Sequence, residues 1–236
     1  MEKMIKLSII HPVLNSHEVV RRQLLHYEKQ NLPDEVEIII VDDDSDPPLI
    51  NNGLKNLSIY YTHDPRPWTW PIARNLGAKM AKGELLFFAD IDYIIPREAV
   101  LMGLGLKEDR MNVRREFGVL DENGNLTQDL DVLRQYGLLE GRIQSKGVNV
   151  SAHTNTFIMK KDVFFKMNGY RTDRIGKPYP QREDGDFDRD WLKRYEKGEV
   201  NRTHDRPTVY MFPNGKFCGD LDYNPFGLFH TTSRKN

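Results

Sequence analysis

Two aspartates, Asp90 and Asp92, directly follow an apolar run, and their spacing would allow them to bind one cation together. The run from Leu85 to Ala89 is typical of a strand that is buried on both faces. In an extended segment, residues two apart point to the same side, so both carboxylates are expected to aim at one point beyond the strand end. Two such carboxylates offer oxygen ligands to a hard divalent cation and leave other positions for phosphate. The alternative is a solvated strand end with two unrelated acids.

Polar side chains also follow two earlier predicted strands. Residues 11–15 come after the apolar residues 7–10, and residues 42–45 come after residues 36–41. These strands alternate with helical patterns, which predicts an α/β fold with a mainly parallel sheet and helices on both faces. Ligands of such sheets bind beyond the carboxyl ends of the strands. All three polar groups are therefore expected at the edge where a ligand would bind.

Local signals set the expected boundaries of the elements. The first strand is predicted to end at Pro12, because proline cannot donate to a ladder. Asn15 is predicted to begin the next helix, with Glu18 in capping-box spacing. Later in the chain, Asp121–Gly124 predicts a hairpin turn, and the acids after Arg182 fit the first turn of a helix. Neither a repeat nor a linker is visible, so residues 1–236 are expected to form one domain.

The composition narrows the class of protein. Of the 236 residues, 39% are hydrophobic, enough for a substantial core, and the formal net charge of -1 gives no basic excess for nucleic acid. Cys218 is the one cysteine, so no internal disulfide is expected. The N-terminus lacks the apolar region of a signal peptide, and no apolar run is long enough for a transmembrane segment. A cytoplasmic protein is expected, and a peripheral position at a membrane is compatible with the sequence.

The sequence lacks a glycine-rich phosphate loop. There is no GxGxxG pattern after the first strand and no GK[ST] pattern. The sequence therefore lacks the loop that binds phosphate in dinucleotide-binding proteins and in ATPases. A cation at Asp90 and Asp92 could neutralise a diphosphate instead. Arg74, near the start of a predicted helix, could add a phosphate contact, and an ordinary exposed helix residue is the alternative.

Five segments resemble, in order and spacing, the family 2 glycosyltransferases of GT-A fold: residues 9–15, 40–45, 73–77, 81–84 and 88–92. The resemblance is specific over roughly residues 5 to 100, because five segments agree in order. It is thinner beyond, where it covers Asn155–Met159, Asn168–Tyr170 and the Glu183–Asp184 pair. The resemblance implies a Rossmann-like GT-A sheet, with a nucleotide-sugar-binding half over residues 1–100 and a smaller mixed region for the acceptor and the catalytic base over residues 101–236.

The resemblance also implies a reaction and roles for matching residues. A nucleotide sugar, most often a UDP-sugar, donates its sugar with inversion at the anomeric carbon. The implied donor contacts are Pro12, Val13 and Asn15 around the nucleotide, Asp42 at the base, Arg74 near the nucleotide, and Asp90 at the ribose or at metal-bound water. Asp92 is implied as the metal ligand of the DxD motif, to which Asp90 also belongs. Asp44 stands where many relatives have glycine, and it adds a negative charge near the pocket.

The base is implied to be Asp184, from the Glu-Asp pair at the start of a helix. An acceptor hydroxyl is a poor nucleophile at neutral pH, so a carboxylate must take its proton in the transition state. The alternative is that Glu183, Asp184, Asp186 and Asp188 are only acids that suit the N-terminus of a helix.

Many GT-A enzymes take a further metal ligand from a histidine near the C-terminus, and His230 is the preferred candidate, with His204 as the alternative. A histidine ligand favours Mn²⁺ and still admits Mg²⁺. A glycan, a protein and a lipid-linked acceptor are all compatible with the sequence, which does not choose among them. Two alternatives to the transferase stay open: a metal-dependent sugar nucleotidyltransferase and a non-catalytic nucleotide-sugar-binding module.

Overall fold

A computed structural model describes residues 4–51, 53–66, 69–138, 150–151, 154–173, 175 and 183–213 of the chain. Its strands are β1 (Leu7–Val13), β2 (Val36–Asp42), β3 (Leu57–Tyr61), β4 (Leu85–Phe88), β5 (Tyr93–Ile94), β6 (Arg110–Asn112), β7 (Arg114–Phe117), β8 (Val119–Leu120), β9 (Leu126–Thr127), β10 (Val150–Ser151), β11 (Phe157–Lys160) and β12 (Thr208–Met211). Its helices are α1 (His17–Gln30), α2 (Trp70–Met80), α3 (Arg97–Leu104), α4 (Leu130–Gln135), α5 (Lys161–Lys166) and α6 (Glu183–Glu196).

A six-stranded central sheet organises the molecule, in the order β3-β2-β1-β4-β11-β6. The first four strands pair in parallel, whereas β11 runs antiparallel to both β4 and β6. The predicted α/β class with a mainly parallel sheet is thus confirmed. The second half of the chain supplies two of the six strands, so both halves share one sheet.

The sheet is covered on both faces, which explains why its central strands are apolar runs rather than alternating ones. Every residue of β1, β2 and β4 is buried. Successive residues of β1 enter different cores: Ile9 packs in one apolar cluster and Ile10 in the other. Helix α2 lies so close to β1 that a Cβ atom on Gly77 would lie 2.5 Å from the Cγ2 atom of Ile10.

The first strand extends beyond its predicted end. Pairing of β1 with β2 continues through Pro12 to Val13, opposite Asp42. Along β1, successive residues make their ladder hydrogen bonds alternately to β4 and to β2. The carbonyl of Ile10 accepts from Ala89 on the β4 side, and the carbonyl of Val13 accepts from Asp43 on the β2 side. The nitrogen of Pro12 therefore faces the β4 side, where pairing has already ended, and its missing N–H removes no ladder bond.

The predicted capping box is wrong. Helix α1 begins at His17, and its N-cap residue, Ser16, makes no side-chain cap bond. The carboxylate of Glu18 instead accepts hydrogen bonds from Arg21 and Arg22. Asn15 has a φ of 48° and lies in the loop before the helix.

Smaller sheets complete the described part of the chain. One has the order β10-β7-β12-β5, and β8 pairs with β9 in the predicted hairpin, which is thereby confirmed. Strand β12 pairs in parallel with β7 and antiparallel with β5, so this sheet is mixed. Among the described helices, none has the length and apolar character needed to cross a membrane.

Candidate active site at the carboxyl edge of the central sheet

The ends of β1 and β2 are tied together at one edge of the central sheet. The N–H of Asn15 donates to Ser45 Oγ at 2.8 Å, and the N–H of Asp46 donates to Asn15 Oδ1 at 2.8 Å. Pro12 and Val13 are buried, whereas Asn15 is half-buried. The loops after these two strands therefore form one connected rim.

Asp90 and Asp92 lie at the same edge, because the N–H of Ala89 still donates to Ile10 of β1. The sequence predicted an extended segment here, and the structure instead contains a turn. The N–H of Tyr93 donates to the carbonyl of Asp90 at 3.0 Å and closes this turn. Both aspartates are half-buried, whereas the intervening Ile91 is buried. The turn, rather than the alternation of side chains along a strand, thus leaves both acids partly accessible.

Buried polar side chains hold the backbone of this turn. Gln23 of α1 donates its amide to the carbonyls of Ile91 at 3.1 Å and Tyr93 at 2.9 Å. His11 Nδ1 lies 3.0 Å from the carbonyl of Ala89, and its Nε2 lies 2.7 Å from the Tyr27 hydroxyl. Because a carbonyl only accepts, Nδ1 carries the proton and Nε2 accepts from tyrosine. Burial lowers the pKa of His11 to about 4, so the ring is neutral at physiological pH.

Arg74 is buried at the start of α2, and its Nη2 donates to Asp90 Oδ1 at 2.5 Å. The guanidinium also lies 5.5 Å from the centroid of the Tyr170 ring. The alternative of an ordinary exposed helix residue is therefore wrong. A charge-assisted bond of this kind fixes Asp90 and leaves its carboxylate partly neutralised.

The two acids at the end of β2 are both buried and hydrogen-bonded. Asp42 has no exposed surface, and its oxygens accept the N–H groups of Ser45 at 2.9 Å and Leu49 at 2.8 Å. The predicted contact of Asp42 with a base stays a prediction, and it would require this loop to give way. Asp43 is also buried and accepts from the hydroxyls of Thr62 at 2.7 Å and Thr69 at 2.5 Å.

Asp184 contacts the segment just before β11, which begins at the same edge of the sheet. Because β11 is antiparallel to β4, the beginning of β11 lies beside the end of β4, with Phe157 opposite Phe88. Thr154, just before β11, donates its hydroxyl to Asp184 Oδ2 at 3.1 Å. The tertiary structure thereby brings the first turn of α6 towards the edge that carries Asp90.

The predicted metal ligands are described only in part. His230 lies outside the described residues, and His204 is exposed in the loop before β12. Within the described ranges, no group of three or more histidine, cysteine, aspartate or glutamate side chains is arranged to hold a metal ion. Asp90 and Asp92 can contribute two carboxylates, and oxygen atoms from a bound ligand would have to complete such a site.

Sequence reasoning did not assign roles to several polar residues that shape this edge. Gln23 holds the aspartate turn, Asp43 joins the start of α2 to the strand ends, and Thr154 contacts Asp184. Their partners lie between 26 and 70 residues away in sequence, so no local spacing could have indicated them.

The sequence signature of the family described as "Glycosyl transferase family 2" matches residues 8–164. This match covers more than half of the chain. The protein belongs to glycosyl transferase family 2. The matched residues of this family 2 protein include Arg74, Asp90 and Asp92, and they end before Asp184. None of the curated protein sequences matches the chain.

Solved structures with the same fold are found at low identity. S. aureus TarS 1-349 is 17% identical with a TM-score of 0.57, covering 88% of this chain and 60% of that one. The same TarS fragment in complex with UDP-GlcNAc is 18% identical with a TM-score of 0.55, covering 87% and 58%. Mannosyltransferase PcManGT from Pyrobaculum calidifontis, in complex with GDP-Man and Mn2+, is 14% identical with a TM-score of 0.52, covering 88% and 56%. The family 2 protein thus spans about 60% of the TarS fragment's length.

Proposed function

We propose that the protein is an inverting glycosyltransferase that uses a divalent cation to move a sugar from a nucleotide sugar to an acceptor hydroxyl. The observation that carries this proposal is a pair of contacts at one sheet edge: Arg74 bound to Asp90, and Thr154 bound to Asp184. The first supports a site for a charged nucleotide, and the second supports a carboxylate base near it. Family membership supports the reaction class.

Support for the donor class comes from the solved relatives. Two of these solved proteins are in complex with UDP-GlcNAc and with GDP-Man, respectively. A nucleoside diphosphate sugar is the chemistry common to both. We propose a UDP-sugar for this chain, with Pro12, Val13 and Asn15 lining the nucleotide pocket and Asp42 near the base.

The described carboxylates fit a divalent cation as a partial ligand set. Asp90 and Asp92 share one turn and are both half-buried, and Mg²⁺-type cations are commonly held by one or two carboxylates together with substrate phosphate oxygens. We propose Asp92, Asp90 and His230 as the protein ligands, with Mn²⁺ favoured and Mg²⁺ admitted. When bound, such a cation stabilises the negative charge that develops on a diphosphate leaving group.

The chain's own residues then have distinct tasks. Arg74 and the aspartate turn orient the diphosphate. Asp184 accepts the proton of the acceptor hydroxyl as that oxygen attacks the anomeric carbon from the face opposite the leaving group. The bond from carbon to diphosphate breaks as the new glycosidic bond forms, which inverts the anomeric configuration. A single base suffices, because no covalent sugar–enzyme bond has to be made and broken.

The test is a panel of UDP- and GDP-sugars incubated with the purified protein and Mn²⁺, Mg²⁺ or a chelator. We expect slow, cation-dependent release of nucleoside diphosphate without an acceptor, and faster release with one. Release of pyrophosphate from a nucleoside triphosphate would instead indicate a nucleotidyltransferase. Binding of donor, seen as a thermal shift, with neither product would indicate a binding module.

Asp184→Asn tests the base within the same panel. Loss of a general base should lower transfer by about 10²- to 10⁴-fold while donor binding is kept. Asp190→Asn is the matched control, because Asp190 is an exposed acid on the same helix. Near-wild-type transfer by Asp184→Asn would remove Asp184 from this role.

A further inference from the structure

Asn75, the residue after Arg74 on α2, makes a two-point contact with the main chain of Tyr170. Its Nδ2 donates to the carbonyl of Tyr170 at 2.8 Å, and its Oδ1 accepts the N–H of Tyr170 at 2.9 Å. These residues are 95 positions apart in sequence. One side-chain amide therefore fixes both the position and the orientation of the Tyr170 main chain.

The turn before Tyr170 is shaped for this contact. Asn168 and Gly169 both have left-handed φ values, 65° and 60°. A Cβ atom on Gly169 would lie 2.7 Å from Asn75 Oδ1. Only glycine lets the turn approach the amide this closely, so the turn and Asn75 form one fitted unit.

The Tyr170 ring held in this way touches both sides of the proposed site. The Arg74 guanidinium lies 5.5 Å from its centroid, and the same guanidinium binds Asp90. The Phe187 ring stacks on it at 4.6 Å, and Phe187 lies one helical turn after Asp184 on α6. Tyr170 is buried, so these ring contacts are shielded from water.

We propose that Asn75 is a positioning residue: by clamping Tyr170, it sets the Arg74–Asp90 pair in register with the helix that carries Asp184. This inference rests on the proposed glycosyl transfer. Asn75 itself touches none of the proposed reacting groups and acts through the tyrosine. Its loss should therefore misalign the donor and the base rather than remove donor contacts.

The kinetic test compares Asn75→Ala with wild type, well below the unfolding temperature of each. Misplacement on the ångström scale can lower a rate by about 100-fold, so we expect kcat to fall by roughly 10- to 100-fold, with a change in the donor KM below about threefold. The matched control is Asn51→Ala, because the Asn51 amide also makes two main-chain contacts, with Leu57 and Gly53, in the loop between β2 and β3. We expect Asn51→Ala to keep the wild-type kcat.

A double variant identifies the route of the effect. If Asn75 acts through the ring, adding Asn75→Ala to Tyr170→Leu should lower kcat little beyond Tyr170→Leu alone, because coupled residues are not additive. Additive losses would overturn this route. An unchanged kcat in Asn75→Ala, with wild-type transfer intact, would overturn the inference and leave the proposed function standing.

A spectroscopic measurement tests the clamp without activity. The Arg74 Nε–H resonance in nitrogen–proton NMR senses the nearby aromatic ring. We expect it to shift in Asn75→Ala and to stay in place in Asn51→Ala. An unmoved resonance would overturn the inference even if no donor were found to react.

Discussion

At the residue scale, His11 shows how a buried polar side chain sets the aspartate turn. Its ring spans from the carbonyl of Ala89 to the hydroxyl of Tyr27 and has almost no exposed surface. Acceptance from tyrosine needs the neutral ring, since a protonated Nε2 could not accept, whereas Nδ1–H can donate to Ala89 in either form. Burial accordingly lowers its pKa to about 4.

This predicts a pH-dependent stability. The unfolded chain has a histidine pKa of about 6.5, so between pH 6.5 and 4 it binds more protons than the folded protein at this site. The free energy of unfolding should therefore decrease as the pH is lowered through that window, and it should be about 2 kcal/mol smaller at pH 5 than at pH 7.5. Urea titrations of wild type and His11→Phe at pH 7.5 and 5 measure this, and the difference between the two proteins should shrink at the lower pH.

His63→Gln provides the control, because this ring is exposed and its replacement leaves both contacts of His11 in place. Equal slopes for wild type and His11→Phe would contradict the assignment of this pH dependence to His11.

At the scale of the elements, Arg110 of β6 joins the central sheet to α6. Its Nη2 lies 3.0 Å from Asp188 Oδ1, and its guanidinium lies 4.3 Å from the Phe157 ring centroid and 5.2 Å from that of Trp191. The side chain is 3% exposed, and burial lowers its pKa. A cation placed so deeply depends on its carboxylate partner.

Replacing Asp188 and replacing Arg110 should lower the free energy of unfolding by different amounts. Asp188→Ala leaves a buried cation without its carboxylate, which should lower the free energy of unfolding by about 3 kcal/mol. Arg110→Met fills a similar volume without charge and leaves behind only a partly exposed carboxylate, so it should cost less than Asp188→Ala. Urea unfolding measures both. Asp190→Ala, on the exposed face of α6, is the control, and equal losses for Asp188→Ala and Arg110→Met would refute this asymmetry.

The elements also show where sequence reasoning succeeded and failed. Strong apolar runs such as residues 36–41 and 85–89 predicted strands that the structure contains, because both faces of these strands are buried. Boundaries were less predictable. Pro12 continues a strand because its neighbour on that side has ended, and Glu18 pairs with arginines rather than with the helix cap. Both outcomes depend on partners that a local pattern does not contain.

At the scale of the whole molecule, the two halves of the chain are interlocked. Strands β11 and β6, from the second half, complete the sheet that β1 to β4 begin. Without β11, one side of β4 would lose its antiparallel partner. We therefore expect residues 1–236 to unfold as one cooperative domain.

Cooperativity is tested by following urea unfolding with tryptophan fluorescence and with far-ultraviolet circular dichroism. Coincident transitions are expected for a single unit. A fragment of residues 1–104 should fail to give a cooperative transition, because the edge of β4 is then unpaired. Two separated transitions in the full chain would contradict this prediction.

The sequence by itself determined the α/β class, the edge at which polar groups gather, and the resemblance to family 2. These follow from apolar runs, strand–helix alternation and short ordered motifs, all of which are local in the chain. It also singled out Asp90, Asp92, Arg74 and Asp184 as candidates, whose catalytic roles stay predictions.

Only the tertiary structure decided which candidates are held together, and by what. The Arg74–Asp90 pair, the contact of Thr154 with Asp184, and the clamp of Asn75 on Tyr170 join residues 16, 30 and 95 positions apart. Such contacts arise from the packing of α2, β11 and α6 around one sheet. Because they depend on three-dimensional proximity rather than on spacing, no local pattern could specify them.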